Sequence, residues 1–330
     1  MILQQRIDLM VELGKYMDSD DLEWEAIKNK AFQHNPWFIR EFINTASKNI
    51  TKEFLQFHLL NHWAAHYHLD NNIDQKNIGI VMAGNIPLVG FHDFLTAFIC
   101  GHRQTIKLSS KDDVLIPHLV NKLYSIDAET QTLITFSEML KNCDAYIATG
   151  SNNSSRYFEH YFSKYPNIIR RNKTSVAFLS GKETIQELEN LSDDIHIYFG
   201  FGCRNITKLF VPEGYDFIPL LNSFNKYSFF KDHHKYNNNY DYQLSVMLMN
   251  NIYYMTNGST LIVENSSPFS AISVINYEKY RFKQAIQEIN SSNDIQSISG
   301  KGYVPFGQAQ SPGLFMYADN RDTMEFLLTL

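Results

Sequence analysis

Cys203 sits in the run Gly200-Phe201-Gly202-Cys203-Arg204-Asn205, a glycine-flanked loop with an arginine beside the sulfur. The next segment, Thr207-Lys208-Leu209-Phe210-Val211-Pro212, is apolar and β-branched enough to form a strand, which puts the cysteine at the mouth of a sheet rather than inside one. A neighbouring cation lowers the pKa of a thiol and raises its thiolate fraction, so Cys203 is a candidate nucleophile. Arg204 has two readings: it keeps the thiol ionised, or it faces solvent. A thiolate attacking a carbonyl also needs a donor aimed at the developing oxyanion. Asn85 is the candidate, in the Gly84-Asn85-Ile86-Pro87-Leu88 turn at the C-terminal end of a predicted parallel strand, the edge where open α/β sheets bind ligands. On spacing alone, the simpler reading is that Asn85 bonds the backbone of its own turn.

Other residues carry weaker signals. No GxGxxG follows a strand, so the usual dinucleotide fingerprint is absent. Gly150-Ser151 opens a helix directly after a strand, and a helix N-terminus binds anions. Lys107, at the end of another strand, has the reach for a ribose or phosphate, although a strand-end lysine is commonly only solvated. His58, His62 and His66 repeat every fourth residue, a spacing that suits zinc, but Leu59, Trp63 and Tyr67 around them indicate packing and no metal site is expected. His92-Asp93 reads as structural and His233-His234 as surface. The aromatic concentration from Tyr215 to Tyr254 reads either as the lining of an acyl tunnel or as core and interface.

These residues need a scaffold, and the pattern supplies one. Residues 1–70 read as helical, with Asp20-Asp21 capping a helix through Phe32. Asn35-Pro36 gives an N-cap followed by proline, and Thr51 caps a long helix to about Leu69. From Asn77 the chain alternates strand and helix: strands at 77–82, 104–108, 132–136 and 145–149, helices at 88–100 (stopped by Gly101), 114–125 and from Ser151 to Phe162. This is the signature of βαβ units on a parallel sheet. Beyond Gly181, helices are predicted near 183–191, 215–224, 239–251 and 278–289, with Asn237-Asn238-Asn239 as a capping loop, and strands at 207–211, 260–263 and 271–275. The fold class is therefore α/β with two lobes, the second carrying the cysteine.

Composition sets the outer limits. The 330 residues are 44% hydrophobic and 14% aromatic, enough for two globular lobes. A net charge of −6 without a basic stripe argues against nucleic acid as a partner. Three cysteines (Cys100, Cys143, Cys203) without a CxxC suggest neither a disulfide framework nor a zinc knuckle. Cys100 and Cys143 read as inert buried thiols. With no signal-peptide pattern at the N-terminus and no apolar run near the roughly 20 residues of a membrane span, a cytoplasmic location is expected.

The order of six blocks resembles the aldehyde dehydrogenase superfamily: Gly84-Asn85-Ile86-Pro87-Leu88, Cys100-Gly101-His102-Arg103-Gln104-Thr105-Ile106-Lys107-Leu108-Ser109, Ala148-Thr149-Gly150-Ser151, Gly200-Phe201-Gly202-Cys203, Glu264-Asn265-Ser266-Ser267-Pro268-Phe269 and Pro305-Phe306-Gly307-Gln308. Within it, the segments Gly84 to Phe94 and Gly202 to Pro212 resemble the LuxC-type acyl-CoA reductase branch. The resemblance runs from about residue 75 to the C-terminus. It implies an aldehyde-dehydrogenase-like fold of two Rossmann-like lobes with a helical N-terminal segment. Residues 1–70 would pack on the cofactor domain 71–181, followed by a cysteine domain at 182–300 and a tail, 301–330, returning to the active-site region.

The roles it implies are specific. Cys203 holds the acyl group as a thioester, and the Asn85 amide and Cys203 N–H form the oxyanion hole. Lys107 contacts the adenosine ribose, Gly150 and Ser151 open the pyrophosphate helix, and Glu264 holds the nicotinamide-side ribose. The implied reaction is NADPH-dependent reduction of an acyl thioester, carried on CoA, acyl carrier protein or an acyl-enzyme, to a fatty aldehyde. Partners would be an acyltransferase or acyl-protein ligase and further copies of the chain.

Three departures matter. Hydrolysing dehydrogenases carry a glutamate base in Glu-Leu-Gly-Gly, where this chain has Ile168-Ile169-Arg170-Arg171-Asn172-Lys173 with no carboxylate. Water attack on the acyl-enzyme should then be slow. Where NAD-preferring members carry a glutamate three residues after the lysine, this chain has Ser110, then Lys111, which favours NADPH over NADH, with Asp112 and Asp113 as opposing charges. Ser155 stands where many relatives close the phosphate motif with glycine. The competing readings are a cysteine acyltransferase or thioesterase-like protein, and a non-catalytic subunit of an acyl-transfer complex.

Overall fold

A computed structural model describes residues 1–71, 73–280 and 292–330. The chain divides into two compact units, one of Met1–Asn172 with Pro312–Leu330, the other of Lys173–Ser311.

In the first unit, helices α1 (Leu3–Met17), α2 (Leu22–His34), α3 (Arg40–Glu53) and α4 (Phe57–His66) precede any strand. Asp21 caps α2, accepting from the N–H groups of Glu23 and Trp24. Two sequence expectations fail here. Asn35-Pro36 starts no helix: the Asn35 side chain accepts from Trp37 N–H at 3.2 Å in a local Asx turn, and α3 begins at Arg40. Thr51 lies inside α3 with its hydroxyl turned back on the Lys48 carbonyl (3.0 Å), so the long helix is two shorter ones. Met10, Leu13, Trp24, Ile43 and Trp63 are buried in the same core as Ile78, Ile80, Phe94 and Ile106, so these helices and the first sheet share one hydrophobic core.

That sheet runs β3-β2-β1-β4-β5, all parallel, from β1 (Asn77–Val81), β2 (Arg103–Lys107), β3 (Ile134–Phe136), β4 (Ala145–Thr149) and β5 (Asn167–Arg170). Between them lie α5 (Phe91–Cys100), α6 (Leu115–Ile126) and α7 (Asn152–Phe162). Gly101 ends α5 in the left-handed region at φ 98°, the conformation a helix C-terminus asks of glycine. The chain builds outward from β1 to β3, then returns to place β4 on the other side of β1. The strand order therefore reverses between β1 and β4.

The second unit holds a sheet ordered β11-β6-β7-β10-β9-β8. Its strands are β6 (Thr174–Phe178), β7 (Ile206–Val211), β8 (Tyr254–Thr256), β9 (Leu261–Glu264), β10 (Val274–Lys279) and β11 (Ile295–Ser299), and only the β8–β9 pair is antiparallel. Helices α8 (Ile185–His196), α9 (Ile218–Ser223) and α10 (His234–Met249) belong to this unit. Leu191, Leu209, Leu220, Phe224 and Ile262 form its core. The division at Asn172–Lys173 precedes the boundary at 181 read from the sequence because β6 hydrogen-bonds to β7 and β11, not to the first sheet. Residues 301–311 likewise stay with the second unit, and only 312–330 return to the first.

Asn237–Asn239 are not a capping loop but lie inside α10, whose N-cap is His233. The strand expected at 271–275 starts at Val274, after a turn closed by Val274 N–H on the Ala271 carbonyl (3.1 Å). Glu278 and Lys279 finish β10, and 281–289 of the helix expected at 278–289 lie outside the described residues. No helix among the described residues is long and apolar enough to cross a membrane.

Candidate active site

In the first unit the candidate residues gather at one sheet edge. Beyond β1, the Met82 N–H donates to the Lys107 carbonyl at 2.9 Å, and the Gly84–Leu88 turn follows. Gly84 has no room for a side chain: a Cβ there would stand 2.7 Å from Ser109 Oγ and 2.8 Å from Ser109 Cβ. Asn85 is exposed at the turn's crest. Leu88, with φ 59°, is buried, and its N–H donates to Asp112 Oδ2 at 2.9 Å.

Lys107 is the last residue of β2 and is half-buried. Ser110 and Lys111 are exposed on the loop that follows. The end of α2 braces that loop: His34 Nε2 bonds the Ser110 carbonyl (3.1 Å) and Asn35 Nδ2 donates to the Lys111 carbonyl (3.1 Å). Gly150 follows β4, and a Cβ on it would meet Ser154 Cβ and Phe158 Cε2 at 2.9 Å. Ser151 caps α7, its Oγ accepting from Ser154 N–H at 3.2 Å. Ser155 is buried with its hydroxyl donating to the Asn152 carbonyl (2.9 Å). Asn85, Lys107 and Gly150–Ser151 thus follow the C-terminal ends of three adjacent strands, with β1 between the other two, at the place where strand order reverses. That is where doubly wound sheets open a ligand crevice.

His92 and Asp93 serve packing, as expected. His92 Nε2 bonds the Leu314 carbonyl (3.0 Å), and Asp93 pairs with the buried Arg170 of β5, which also donates to Thr323 Oγ1 (2.8 Å). Within the stretch Ile168–Lys173, the Arg170 guanidinium is therefore already paired.

In the second unit, Cys203 occupies a turn over Gly202–Asn205, closed by Asn205 N–H on the Gly202 carbonyl at 3.0 Å. Of the three cysteines only Cys203 is not buried. Burial pushes the Cys100 thiol up to about 12 and raises that of Cys143. Arg204 does not simply face solvent. It is half-buried; burial pulls its pKa down and the Cys203 charge pushes it back up, so cation and thiolate feel each other.

Sequence reasoning missed what holds this turn. Asn205 is fully buried and all its amide atoms are used. Its Oδ1 accepts from Gly202 N–H (2.8 Å), while Nδ2 is shared among the carbonyls of Asp194 (3.0 Å), Ile195 (3.1 Å) and Ile197 (2.8 Å) at the end of α8. Ser175 of β6 donates to the Cys203 carbonyl (3.0 Å) from the other side. Between α8 and the turn, Tyr198, Phe199 and Gly200 have φ of 60°, 53° and 79°. Left-handed backbone costs a residue other than glycine roughly 1–2 kcal/mol, so the approach to Cys203 is strained and held by its surroundings. Asn205→Ala would remove the acceptor of Gly202 N–H and the Nδ2 donor shared by the carbonyls of Asp194, Ile195 and Ile197. We expect it to lower the unfolding free energy by about 2 kcal/mol in urea titrations.

Asp194, also buried, accepts from the N–H groups of Gly307 (2.7 Å) and Ala309 (3.0 Å) and so ties the Pro305–Gln308 block to α8. Burial pushes its carboxyl up to about 7, against these two donors. Glu264, exposed at the end of β9, accepts from Tyr277 Oη at 3.3 Å. Register sets Glu264 level with Tyr277 and, one strand further, Leu209, inside β7, whereas Cys203 precedes that strand. The sheet therefore does not bring Glu264 beside the sulfur. From Glu264 a strap crosses back over the sheet, pinned by Lys208 Nζ on the Ser266 carbonyl (2.6 Å), Thr207 on Pro268 (2.6 Å) and Asn276 on Ser267 and Phe269 (3.0 Å each).

His58, His62 and His66 share an exposed face of α4, and the rings of His62 and His66 pack on Phe315. No cluster of His, Cys, Asp or Glu suited to a metal occurs among the described residues. His233 is the half-buried cap of α10 rather than plain surface, while His234 is exposed. In the aromatic segment, Phe224, Tyr227, Phe230, Tyr236 and Tyr240 are buried as core.

Two α/β units, one with a strand-order switch point and one with a cysteine turn at a sheet edge, define an aldehyde-dehydrogenase-like fold, and solved structures agree. The NAD-dependent aldehyde dehydrogenase from Sinorhizobium meliloti gives a TM-score of 0.62 at 12% identity, covering 91% of this chain and 70% of its own. A variant of the Bacillus cereus aldehyde dehydrogenase gives 0.64 at 12%, covering 91% and 72%. Aldehyde dehydrogenase 21 from Physcomitrella patens, in complex with succinate, gives 0.61 at 12%, covering 91% and 73%. No curated protein sequence matches the chain. The family model for acyl-CoA reductase (LuxC) matches residues 24–218, a span that includes Asn85, Lys107, Gly150 and Cys203, and the chain belongs to that family.

Proposed function

We propose that this protein reduces an acyl thioester to an aldehyde with NADPH, through an acyl group carried on Cys203. One observation carries the reading: in a chain of the acyl-CoA reductase family, the single cysteine that is not buried sits in a braced turn beside a guanidinium. The Cys203 thiolate attacks the acyl carbonyl, a C–S bond forms, and the carrier leaves as its thiolate. The Asn85 amide and the Cys203 N–H are assigned to the oxyanion. Bound reduced nicotinamide supplies the hydride. The resulting thiohemiacetal on Cys203 collapses, its C–S bond breaks, and aldehyde leaves with the thiolate restored. The stretch Ile168–Lys173 offers no carboxylate to activate water, and Asp93 nearby is committed to Arg170. The acyl group is thereby kept for reduction rather than hydrolysis.

The residues present suit a dinucleotide. The N-terminus of α7 after Gly150 offers backbone donors to a pyrophosphate, and Lys107 lies one strand away from the turn after β1. Solved neighbours of this fold include an indole-3-acetaldehyde dehydrogenase in complex with NAD+. NADPH is favoured over NADH by the loop after β2. Ser110 and Lys111 are exposed and Asp112 is buried against Leu88, which leaves Asp113, 3.1 Å from His34 Nε2, as the exposed carboxylate of this loop beside the Lys111 cation. Glu264 is assigned to the nicotinamide-side ribose through the family resemblance. A cytoplasmic location, an acyl-donating protein partner and a homo-oligomer complete the proposal.

The decisive assay follows NADPH oxidation by absorbance over a panel of acyl-CoAs, with aldehyde trapped by a hydrazine. NADPH consumption without aldehyde, or acylation without NADPH consumption, would sink the reductase reading. We expect KM for NADPH to lie about fivefold below that for NADH, and Lys111→Glu to erase the difference, as loss of an exposed ion pair worth about 1 kcal/mol predicts.

A further inference from the structure

In the sequence Asp112 is only a charge opposing the NADPH preference, and the structure places it in the core of its loop. It is 5% exposed. Its Oδ2 accepts from Leu88 N–H at 2.9 Å, and its Oδ1 is buried with no side-chain hydrogen-bond partner among the described residues. Its own N–H donates to the Ser109 carbonyl at 3.0 Å, closing a short loop. That loop meets the Asn85 turn at both ends. Ser109 stands where a Cβ on Gly84 would go, and Asp112 holds the Leu88 N–H. Leu88 needs such a hold, because its φ of 59° is a conformation that an ordinary side chain disfavours. Asn85 lies between the two fixed points. We propose that Asp112 is a positioning residue that sets the asparagine turn, and through it the direction of the Asn85 amide, for acyl transfer to Cys203. The inference rests on the assignment of Asn85 as an oxyanion donor. Burial pushes the Asp112 carboxyl up to about 7, opposed by the N–H groups of Leu88 and Leu115.

The test measures the single-turnover rate at which radiolabelled acyl-CoA acylates the full chain, with melting curves as a check on folding. Asp112→Leu keeps the volume and removes the acceptor. We expect acylation to slow by about 10- to 100-fold, the scale of a donor displaced by an ångström. Asp112→Asn keeps an oxygen for Leu88 N–H and should stay within about threefold of the parent. Because Asp112 acts through Asn85, Asp112→Leu combined with Asn85→Ala should be no slower than Asn85→Ala alone. If the leucine variant does not fold, Asp112→Glu replaces it: the acceptor is kept but moved by a methylene, and acylation should again slow at least tenfold. Acylation by the leucine or glutamate variant within twofold of the parent overturns the proposal, as does an asparagine variant as slow as the leucine one, or a double variant whose losses multiply. If Asn85→Ala alone acylates at the parental rate, the oxyanion assignment falls and this inference with it. If Asn85→Ala is slow and Asp112→Leu is not, only the role of Asp112 is refuted.

Discussion

Cys203→Ala is expected to abolish acyl-enzyme formation: incubated with radiolabelled acyl-CoA, the variant should retain no label through denaturing electrophoresis, and its NADPH-dependent aldehyde production should fall below detection. The size of this effect follows from the chemistry. Without the sulfur no thioester forms, and no neighbouring group substitutes for it. The other two thiols are poor replacements. Cys100 is buried at the end of α5, its pKa driven to about 12, and Cys143 is buried with its pKa also raised, so at neutral pH both are almost wholly protonated. Alkylation gives an independent reading. Iodoacetamide at pH 7 should modify one cysteine in the native parent chain and none in Cys203→Ala, while denaturation exposes the remaining two. Label persisting on the alanine variant at the parental level would move the acyl site elsewhere. Label lost together with the cooperative melt would mean only that the turn had collapsed; Cys203→Ser, which keeps the shape and replaces the strong nucleophile by a weak one, separates the two outcomes.

The parts of this site that were legible in the sequence are those with local causes. The strand Ala145–Thr149, the glycine after it and the helix to Phe162 follow from an apolar run, a tight turn and a serine cap, all within a few residues of one another. Gly84, Asn85 and Pro87 announce a turn for similar reasons. What escaped has tertiary causes. The strand Thr174–Phe178 opens with two hydroxyl residues and reads as polar, yet both are buried, Thr174 against Thr207 (2.5 Å) and Ser175 against the Cys203 carbonyl. Asn205 looks like an ordinary loop asparagine until the end of α8 is brought over it. Asp112 is one acid in a charged triplet, Lys111 to Asp113, and nothing in that run separates the buried carboxylate from its exposed neighbour. The Asn35-Pro36 pair carried a strong helix-start signal, and a two-residue Asx turn consumed it. The physical divide is between hydrogen bonds closed within a few residues and those closed across a larger separation, 8 residues for Asn205 to Ile197 and 24 for Leu88 to Asp112.

Asn85→Ala should slow acylation of Cys203 by about 10²–10³, the usual worth of one oxyanion donor, while leaving the melting temperature nearly unchanged. The second half of the expectation separates the catalytic reading from the simpler one. An asparagine whose amide only stabilised its own turn would, when truncated, loosen the turn and lower stability by about 1 kcal/mol. Here the turn has other fastenings: Gly84 against Ser109, the buried Leu88 side chain, and Leu88 N–H on Asp112. Asn85 itself is exposed at the crest, so its removal creates no cavity. Acylation and hydride reduction should both suffer, because each passes through a tetrahedral oxyanion on the same carbon. Equilibrium binding of a non-transferable acyl-CoA thioether, which has no carbonyl at the sulfur, should not change. A variant that binds the thioether as the parent does and acylates a hundredfold more slowly has lost stabilisation of the transition state alone. A variant that acylates at the parental rate but melts lower returns Asn85 to the role its spacing first suggested, and leaves the oxyanion of the Cys203 adduct to backbone donors.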